Sequence, residues 1–316
     1  MDSSAVPKVS VIIPLYNKAP YIKRALDSVF AQTVQDFEVI VVNDGSKDGG
    51  EKIVEEYGDS RIRLINQENQ GVSAARNHGV DAARAELVAF LDADDEWLPE
   101  FLETILRLRE KWPDAGMYYS NSWRLIDGVR VSNDVNTGKE EGIIKNYFRD
   151  CALHGHCIDT ICVAVQRNVF LSLGGFDSSF VFFEDYDLWD RIAYNYPIAY
   201  TPTPLAIYHT EESNANSRIL ECGNVFNLPF IAYLQSQPEE KVQNRLDYGD
   251  ILLYIDSLNL MRANIGKYYG KMEAMKYLMK IHSPELRKKK LISIIAVMIP
   301  QVFKRPVVKL YHKVVN

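Results

Sequence analysis

Between residues 9 and 111, short apolar runs rich in Val and Ile alternate with longer amphipathic stretches, and this rhythm restricts the fold more than any other feature of the chain. Val9–Tyr16, Phe37–Asn43, Ile62–Asn66 and Leu87–Leu91 are short, β-branched and almost continuously apolar, as strands buried on both faces must be. The intervening stretches Tyr21–Gln32, Gly49–Tyr57, Val72–Arg84 and Pro99–Lys111 read as helices; in the first, Ile22, Ala25, Leu26, Val29 and Phe30 share one face. Strand and helix alternating at this spacing imply a parallel sheet covered by helices on both sides. Pro99 is expected at the first position of its helix, with Pro113 and Gly116 ending it.

After Gly116 the pattern changes. Met117–Ile126 and Val129–Ser132 flank Asp127-Gly128 as an antiparallel pair, and a polar loop rich in Gly, Asn and Asp follows. A strand Ile158–Val165, a short helix near Asn168–Leu173, a helix Glu184–Asn195 and a strand Ala199–His209 are expected next. Beyond Asn216 strands give out, and Phe226–Gln235, Arg245–Met261 and Lys267–Ile281 read as helices.

With 316 residues, 47% hydrophobic and 25% charged, the chain is neither disordered nor collagen-like. Its net charge of −6 is unevenly spread: residues 1–286 carry −14, whereas 287–316 carry +8 with no acid. An acidic body repels nucleic acid and needs a cation to hold a phosphate-bearing ligand. The four cysteines show no CxxC pairing, and Met1–Lys8 has no apolar signal segment, so a reducing, cytoplasmic setting is expected. The run Leu291–Phe303, broken by Pro300, falls short of the roughly 20 residues that span a bilayer. Basic residues flank it, as in an interfacial segment at an anionic membrane surface; a packed helix or an oligomer contact is the competing expectation.

Polar residues collect at the ends of the expected strands, where open α/β sheets bind ligands. The first strand runs into Pro14-Leu15-Tyr16-Asn17 and the second into Asn43-Asp44-Gly45-Ser46. Asp44 could accept from a base N–H and Tyr16 could stack on a ring, although Asp44-Gly45-Ser46 also reads as a turn with a helix cap. No GxGxxG follows the first strand and no GxxxxGK[ST] occurs, so neither a dinucleotide-binding nor a P-loop site is supported. The fourth strand ends in Asp92-Ala93-Asp94-Asp95-Glu96. Asp92 and Asp94 can turn two carboxylates toward one hard ion such as Mg2+ or Mn2+, against the plainer reading of a solvated acidic loop. Arg76 could supply a cation to phosphate oxygens or pair with these acids. Farther on, Gly174-Gly175-Phe176-Asp177 precedes Glu184 and Asp185 in a first helical turn. One of these acids could be a general base, or both could simply favour the helix dipole. His154, His156 and His209 are further polar candidates. Tyr118-Tyr119 and Tyr268-Tyr269 could line a groove or fill a core.

Together these segments resemble family 2 glycosyltransferases, inverting enzymes with the GT-A fold that use nucleotide sugars. The resemblance spans residues 9–209 and rests on Val9–Asn17, Val42–Ser46, Asn69–Asn77, Phe90–Asp95, Gly174–Asp177 and Glu184-Asp185 in that order. It implies a Rossmann-like mixed α/β sheet with helices on both faces in residues 1–215. The nucleotide-sugar half would be near 1–115 and the acceptor half near 116–215, with a helical region over 216–316. By resemblance, Pro14, Tyr16, Asn17 and Asp44 shape the nucleoside pocket and Arg76 meets the diphosphate. Asp92 and Asp94 hold donor and metal, Asp94 most directly, and Asp185 is the base with Glu184 its neighbour. The chain departs from the family pattern at Asn43, where an acid is usual, and at His209, where an Arg is common; His209 is a third candidate metal ligand. The implied cofactor is Mn2+ or Mg2+. The implied partners are a nucleoside diphosphate sugar, UDP-sugars favoured, and a glycan or lipid-linked acceptor, in bacterial polysaccharide synthesis. A sugar nucleotidyltransferase and a non-catalytic sugar-binding module are the alternatives.

Overall fold

The first strand, β1 (Val9–Leu15), is buried on both faces and pairs in parallel with β2 (Phe37–Asp44) and β4 (Leu87–Phe90). A computed structural model describes residues 6–133, 140–155, 158–180, 183–210, 229–266 and 271–298. The helices α1 (Ala19–Phe30), α2 (Gly50–Tyr57) and α3 (Val72–Ala82) connect the parallel strands, with β3 (Ile62–Gln67) at the sheet edge. After β4 come β5 (Glu96–Trp97), α4 (Phe101–Lys111), β6 (Met117–Ile126), β7 (Val129–Ser132), β8 (Gly142–Ile143) and α5 (Tyr147–His154). A 3-10 turn (Thr160–Cys162), β9 (Val163–Gln166), α6 (Arg167–Ser172), α7 (Glu184–Asn195) and β10 (Ile198–His209) follow. The C-terminal helices are α8 (Pro229–Ser236), α9 (Glu239–Gln243), α10 (Tyr248–Gly266), α11 (Lys271–Leu278) and α12 (Arg287–Met298).

One mixed sheet runs β3-β2-β1-β4-β9-β6-β10-β5, with β7 added to β6 and β8 to β10. The strand β9 is antiparallel to both neighbours, joining the parallel N-terminal half to the parallel pair β6 and β10. Two compact units result: Met1–Lys145 with Cys157–Gly223, and Asn146–His156 with Asn224–Asn316. In the second, α5 packs with α10, and Phe148 lies 5.3 Å from Phe230 and 5.7 Å from Tyr254 between ring centroids.

Three expectations of local structure change. The helix expected from Pro99 begins at Phe101, because Gln32 Oε1 accepts the Leu102 N–H at 2.9 Å and so caps the helix from afar. The strand expected over Ile158–Val165 is shortened by the 3-10 turn, in which the Cys162 N–H donates to the Asp159 carbonyl. The stretch after Asn133, expected to be only loop, contains β8 and α5. Tyr118 and Tyr119 belong to the core, and Tyr118 donates its hydroxyl to the Trp112 carbonyl. The candidates His156, Tyr268 and Tyr269, the cysteines Cys157 and Cys222, the expected helix start at Phe226 and the tail beyond Met298 lie outside the described residues. Among the described residues, no helix is long and apolar enough to cross a membrane.

Candidate active site

Strand β4 delivers its acids to the sheet edge on a rigid base. Phe90, its last residue, packs in a ring cluster with Phe170, Phe176 and Trp189, with centroids 5.4–5.9 Å apart. Such pairs add about 0.5–1.5 kcal/mol each beyond their buried area. Above this cluster α3 lies close on the sheet: a Cβ at Gly79 would stand 2.5 Å from Ile12 Cγ2. That close approach sets the buried Arg76, one turn earlier, over the Phe176 ring at 5.3 Å.

Arg76 is the junction of the site. Its Nη2 donates to Asp92 Oδ1 at 2.8 Å and its Nη1 to Glu184 Oε1 at 3.0 Å, tying the end of β4 to the start of α7. Burial works against its charge, but Asp92, Glu184 and Asp185 outweigh burial and hold the guanidinium above its ordinary pKa. The double glycine explains how the second acid arrives. Gly175 has φ +67°, and a Cβ there would meet Asn77 Oδ1 at 2.7 Å. Asn77 instead pairs with Phe176 like a strand residue, accepting its N–H at 2.9 Å and donating to its carbonyl at 2.7 Å. Arg191, from α7, donates to the Gly175 carbonyl at 2.8 Å and pairs with Asp187. The Gly-Gly-Phe turn is therefore clamped from two helices while its ring supports Arg76.

Phe183 enters α7 with φ +66°, an uncommon conformation for a non-glycine residue, and turns Glu184 and Asp185 into the first helical turn. Asp185 accepts the Thr160 hydroxyl at 3.1 Å and the Tyr186 N–H at 2.8 Å. Burial, then the adjacent Glu184 carboxylate, push its pKa up to about 7 against the pull of Arg76. A carboxylate poised there can hold or release a proton near neutrality.

The other acids at this edge also exceed the available cations. Asp94 pairs with the Lys18 ammonium, and the Arg24 guanidinium donates to the Asp94 carbonyl. Burial and then Asp92 nevertheless raise the Asp94 pKa. Asp95, 1% exposed, accepts the His209 N–H at 2.8 Å through Oδ1; its Oδ2 has no hydrogen-bond partner among the described residues. Burial, then Asp92 and Asp94, push its pKa well up. The His209 ring is itself engaged, with Nε2 3.0 Å from Glu96 Oε1. Among the described residues, no three His, Cys, Asp or Glu side chains converge as a closed metal centre. The donor chemistry still fits a hard divalent ion: Asp92 and Asp94 offer oxygens in surplus negative charge, and such ions commonly complete their shell with phosphate and water.

The first two strand ends form the adjoining edge. Asp44 is buried and accepts from Gln67 Nε2, the Gln70 N–H and the Gly71 N–H at 2.8–2.9 Å, so it shapes the loop that leads into α3. Asn43 accepts the Ser46 N–H and donates to Asn66 Oδ1, a double role that an acid there could not fill. Asn17, with φ +52°, accepts the Lys47 N–H. Pro14 is partly buried, and Tyr16 is 38% exposed at the end of β1. Thus Arg76, Asp92, Glu184 and Asp185 meet in one constellation, with Asp94 two residues from Asp92, whereas Pro14, Tyr16, Asn17 and Asp44 occupy the neighbouring strand ends. Sequence reasoning missed Lys18, Arg24, Thr160 and the burial of Asp95. Lys18, at the N-cap of α1, and Arg24, within it, lie 70 or more residues from Asp94, which both meet, and no local pattern marks them.

The model of the family described as Glycosyl transferase family 2 matches residues 10–170, just over half of the chain. The chain belongs to that family. It is 34% identical over 189 residues to an uncharacterized glycosyltransferase, RT0329, of Rickettsia typhi, covering 58% of each chain. The chain spans 30–58% of the length of three such curated relatives. Among solved structures, it is similar to Staphylococcus aureus TarS residues 1–349 in complex with UDP-GlcNAc, at a TM-score of 0.70 and 17% identity. That match covers 97% of this chain and 92% of the other. It is also similar to the Pyrobaculum calidifontis mannosyltransferase PcManGT in complex with GDP-Man and Mn2+, at 0.58 and 18%, covering 96% and 89%. At these identities the likeness establishes the fold: this family 2 member has a GT-A-like mixed α/β sheet followed by C-terminal helices.

Proposed function

We propose that this glycosyltransferase moves a sugar from a nucleoside diphosphate donor, UDP-sugars favoured, to a hydroxyl of a glycan or lipid-linked acceptor, with inversion. The observation that carries the reading is the single Arg76 joining Asp92 to Glu184 beside an Asp185 whose pKa is pushed up to about 7. Asp185 takes the acceptor hydroxyl's proton while that oxygen bonds to the anomeric carbon and the bond to the diphosphate breaks. Charge then grows on the departing diphosphate, and Arg76 is the cation this chain offers it. Asp94 and Asp92 would hold Mn2+ or Mg2+, which when bound supplies further charge stabilisation to the leaving group. Tyr16, Asn17, Pro14 and Asp44 shape the nucleoside pocket, and His209 supports the acidic edge beside Glu96.

Known relatives of the same fold bound to UDP-GlcNAc and to GDP-Man with Mn2+ support a nucleotide-sugar donor. The basic stretch 287–316 is proposed to bring the enzyme to the cytoplasmic face of the membrane, in bacterial polysaccharide synthesis. The test is release of nucleoside diphosphate from a panel of nucleotide sugars, with Mn2+ or with excess chelator. Metal-dependent release from at least one donor is expected, and Asp94→Ala should lose metal-dependent donor binding. Tight donor binding in excess chelator would remove the metal assignment. Turnover of a nucleoside triphosphate with a sugar phosphate, and not of any nucleotide sugar, would replace a glycosyltransferase with a nucleotidyltransferase.

A further inference from the structure

Helix α11 carries two faces of different chemistry. Ala274, Tyr277, Leu278 and, just past its end, Ile281 are buried against the second unit. On the other side Met272, Lys276, Met279 and Lys280 recur at helical spacing and are all exposed. The stripe runs one turn beyond the helix, since the Met279 N–H still donates to the Met275 carbonyl at 3.0 Å. Met272 is 87% and Met279 66% exposed. A solitary exposed apolar residue needs no explanation. Two long flexible thioethers interleaved with two lysines on one stripe differ, because they put apolar area and positive charge on the same exposed face.

The neighbouring α12 adds to that character. It packs against α11 and exposes Arg287, Lys288 and, at 57%, Leu291. Four basic residues open this helix, at the end where the dipole disfavours positive charge. Lys289 and Lys290 are held there, donating to the Leu153 and Ile281 carbonyls. Arg287 and Lys288 are left facing solvent. The described residues 271–298 contain seven Lys and Arg against two Glu, a net +5, in a chain whose overall charge is −6. A partner for this face is therefore anionic and able to accept apolar side chains.

We propose that the exposed face of α11, Met272, Lys276, Met279 and Lys280, is a docking surface for an anionic lipid bilayer, with the methionines entering the interface and the lysines meeting the headgroups. The face goes beyond the tail suggested above: it lies in a folded helix outside residues 287–316, and it needs no catalytic activity to operate.

Co-sedimentation of the full chain with vesicles tests it, comparing pure phosphatidylcholine with phosphatidylcholine containing 30–40% phosphatidylglycerol, roughly a strongly anionic leaflet. Binding to the anionic vesicles and not to the neutral ones is expected. M272D/M279D should lower the partition coefficient at least about tenfold, because two apolar anchors become charges repelled by the surface. K276E/K280E should weaken binding at least as much at low salt and less at high salt. All four positions are exposed, so circular dichroism and Tm should not change. No binding by the wild-type chain, equal binding to neutral vesicles, or indifference of binding to M272D/M279D overturns the proposal. Loss of binding only on replacement of residues within 287–316 also overturns it, while leaving the tail in place. A change of oligomeric state in M272D/M279D with vesicle binding intact would make the face a contact between copies, against the proposal.

Discussion

The two ends of the central sheet handle buried acids in opposite ways. At the start of β2, Glu38 is 1% exposed, yet every approach to it is met by a donor. It accepts the Ser10 hydroxyl at 2.7 Å, the Arg84 N–H at 2.8 Å and Arg84 Nε at 2.9 Å. Burial alone would raise its pKa, but these hydrogen bonds and Arg84 together lower it. At the other end, Asp94, Asp95 and Asp185 have raised pKa values although Lys18, Arg24 and Arg76 are present. A carboxylate that only holds the fold is saturated with donors. Asp94, Asp95 and Asp185 are not saturated in that way, and under the proposed function their surplus charge is what a cation and an acceptor proton would meet.

Breaking the balance on the functional side should have the largest effect. Arg76→Ala leaves Asp92 and Glu184 facing each other with no counterion, and about 3–5 kcal/mol of stability should be lost, toward the lower end because Asp92 is partly exposed. Denaturant titration reads that loss, and calorimetry should find donor binding lost with it. On the structural side, Glu38→Gln keeps the shape but removes the charge that Arg84 meets. About 1–3 kcal/mol of stability should go, with donor affinity unchanged. If Glu38→Gln weakened donor binding and Arg76→Ala did not, the division between the two ends would be wrong.

The pH dependence separates the two ends as well, with opposite signs. Asp185 binds its proton more tightly when folded, so its contribution to stability is complete below the unfolded value near 4 and is lost as pH rises through about 7. The lowered Glu38 contributes above the unfolded value near 4.3 and loses that contribution as pH falls through its folded pKa. The Tm of the wild-type chain should therefore fall between pH 5 and 8, and fall less steeply in Asp185→Asn. A Tm slope identical in the two proteins would contradict the environment described for Asp185.

How much of this was legible in the sequence follows from where each determinant lies. Strand and helix succession through residue 111 was readable where burial on both faces writes itself into local Val and Ile runs, as in β1, β2 and β4. The strand β3, expected to be buried on both faces, is an edge strand with no fully buried residue, and the two-residue β5 was not foreseen. The Asp127-Gly128 turn was readable because both residues adopt positive φ, +50° and +75°, a demand few other residue types meet. The start of α4 was not, since Gln32, about 70 residues earlier, caps it. Nor was the turn at Thr160–Cys162: the Asp159 carboxylate that anchors it is held by Ser122, Arg124 and Asn133 from the β6–β7 hairpin and its exit. The helix α5 depends on Phe230 and Tyr254, farther along the chain. In the site, the acids were visible as strand-end and helix-start clusters. Their cations Lys18 and Arg24 and the hydroxyl of Thr160 were not, because each is brought in by tertiary packing and lies in no motif of its own.

Asp185 carries the proposed chemistry, and its conversion to Asn tests the account most directly. Donor binding by calorimetry and single-turnover transfer to an acceptor should be measured side by side on wild type and Asp185→Asn. Donor affinity should stay within about threefold, while transfer falls by at least about two orders of magnitude, the scale of a lost general base. Near-normal transfer by Asp185→Asn would contradict the account and send the search for the base elsewhere in the site.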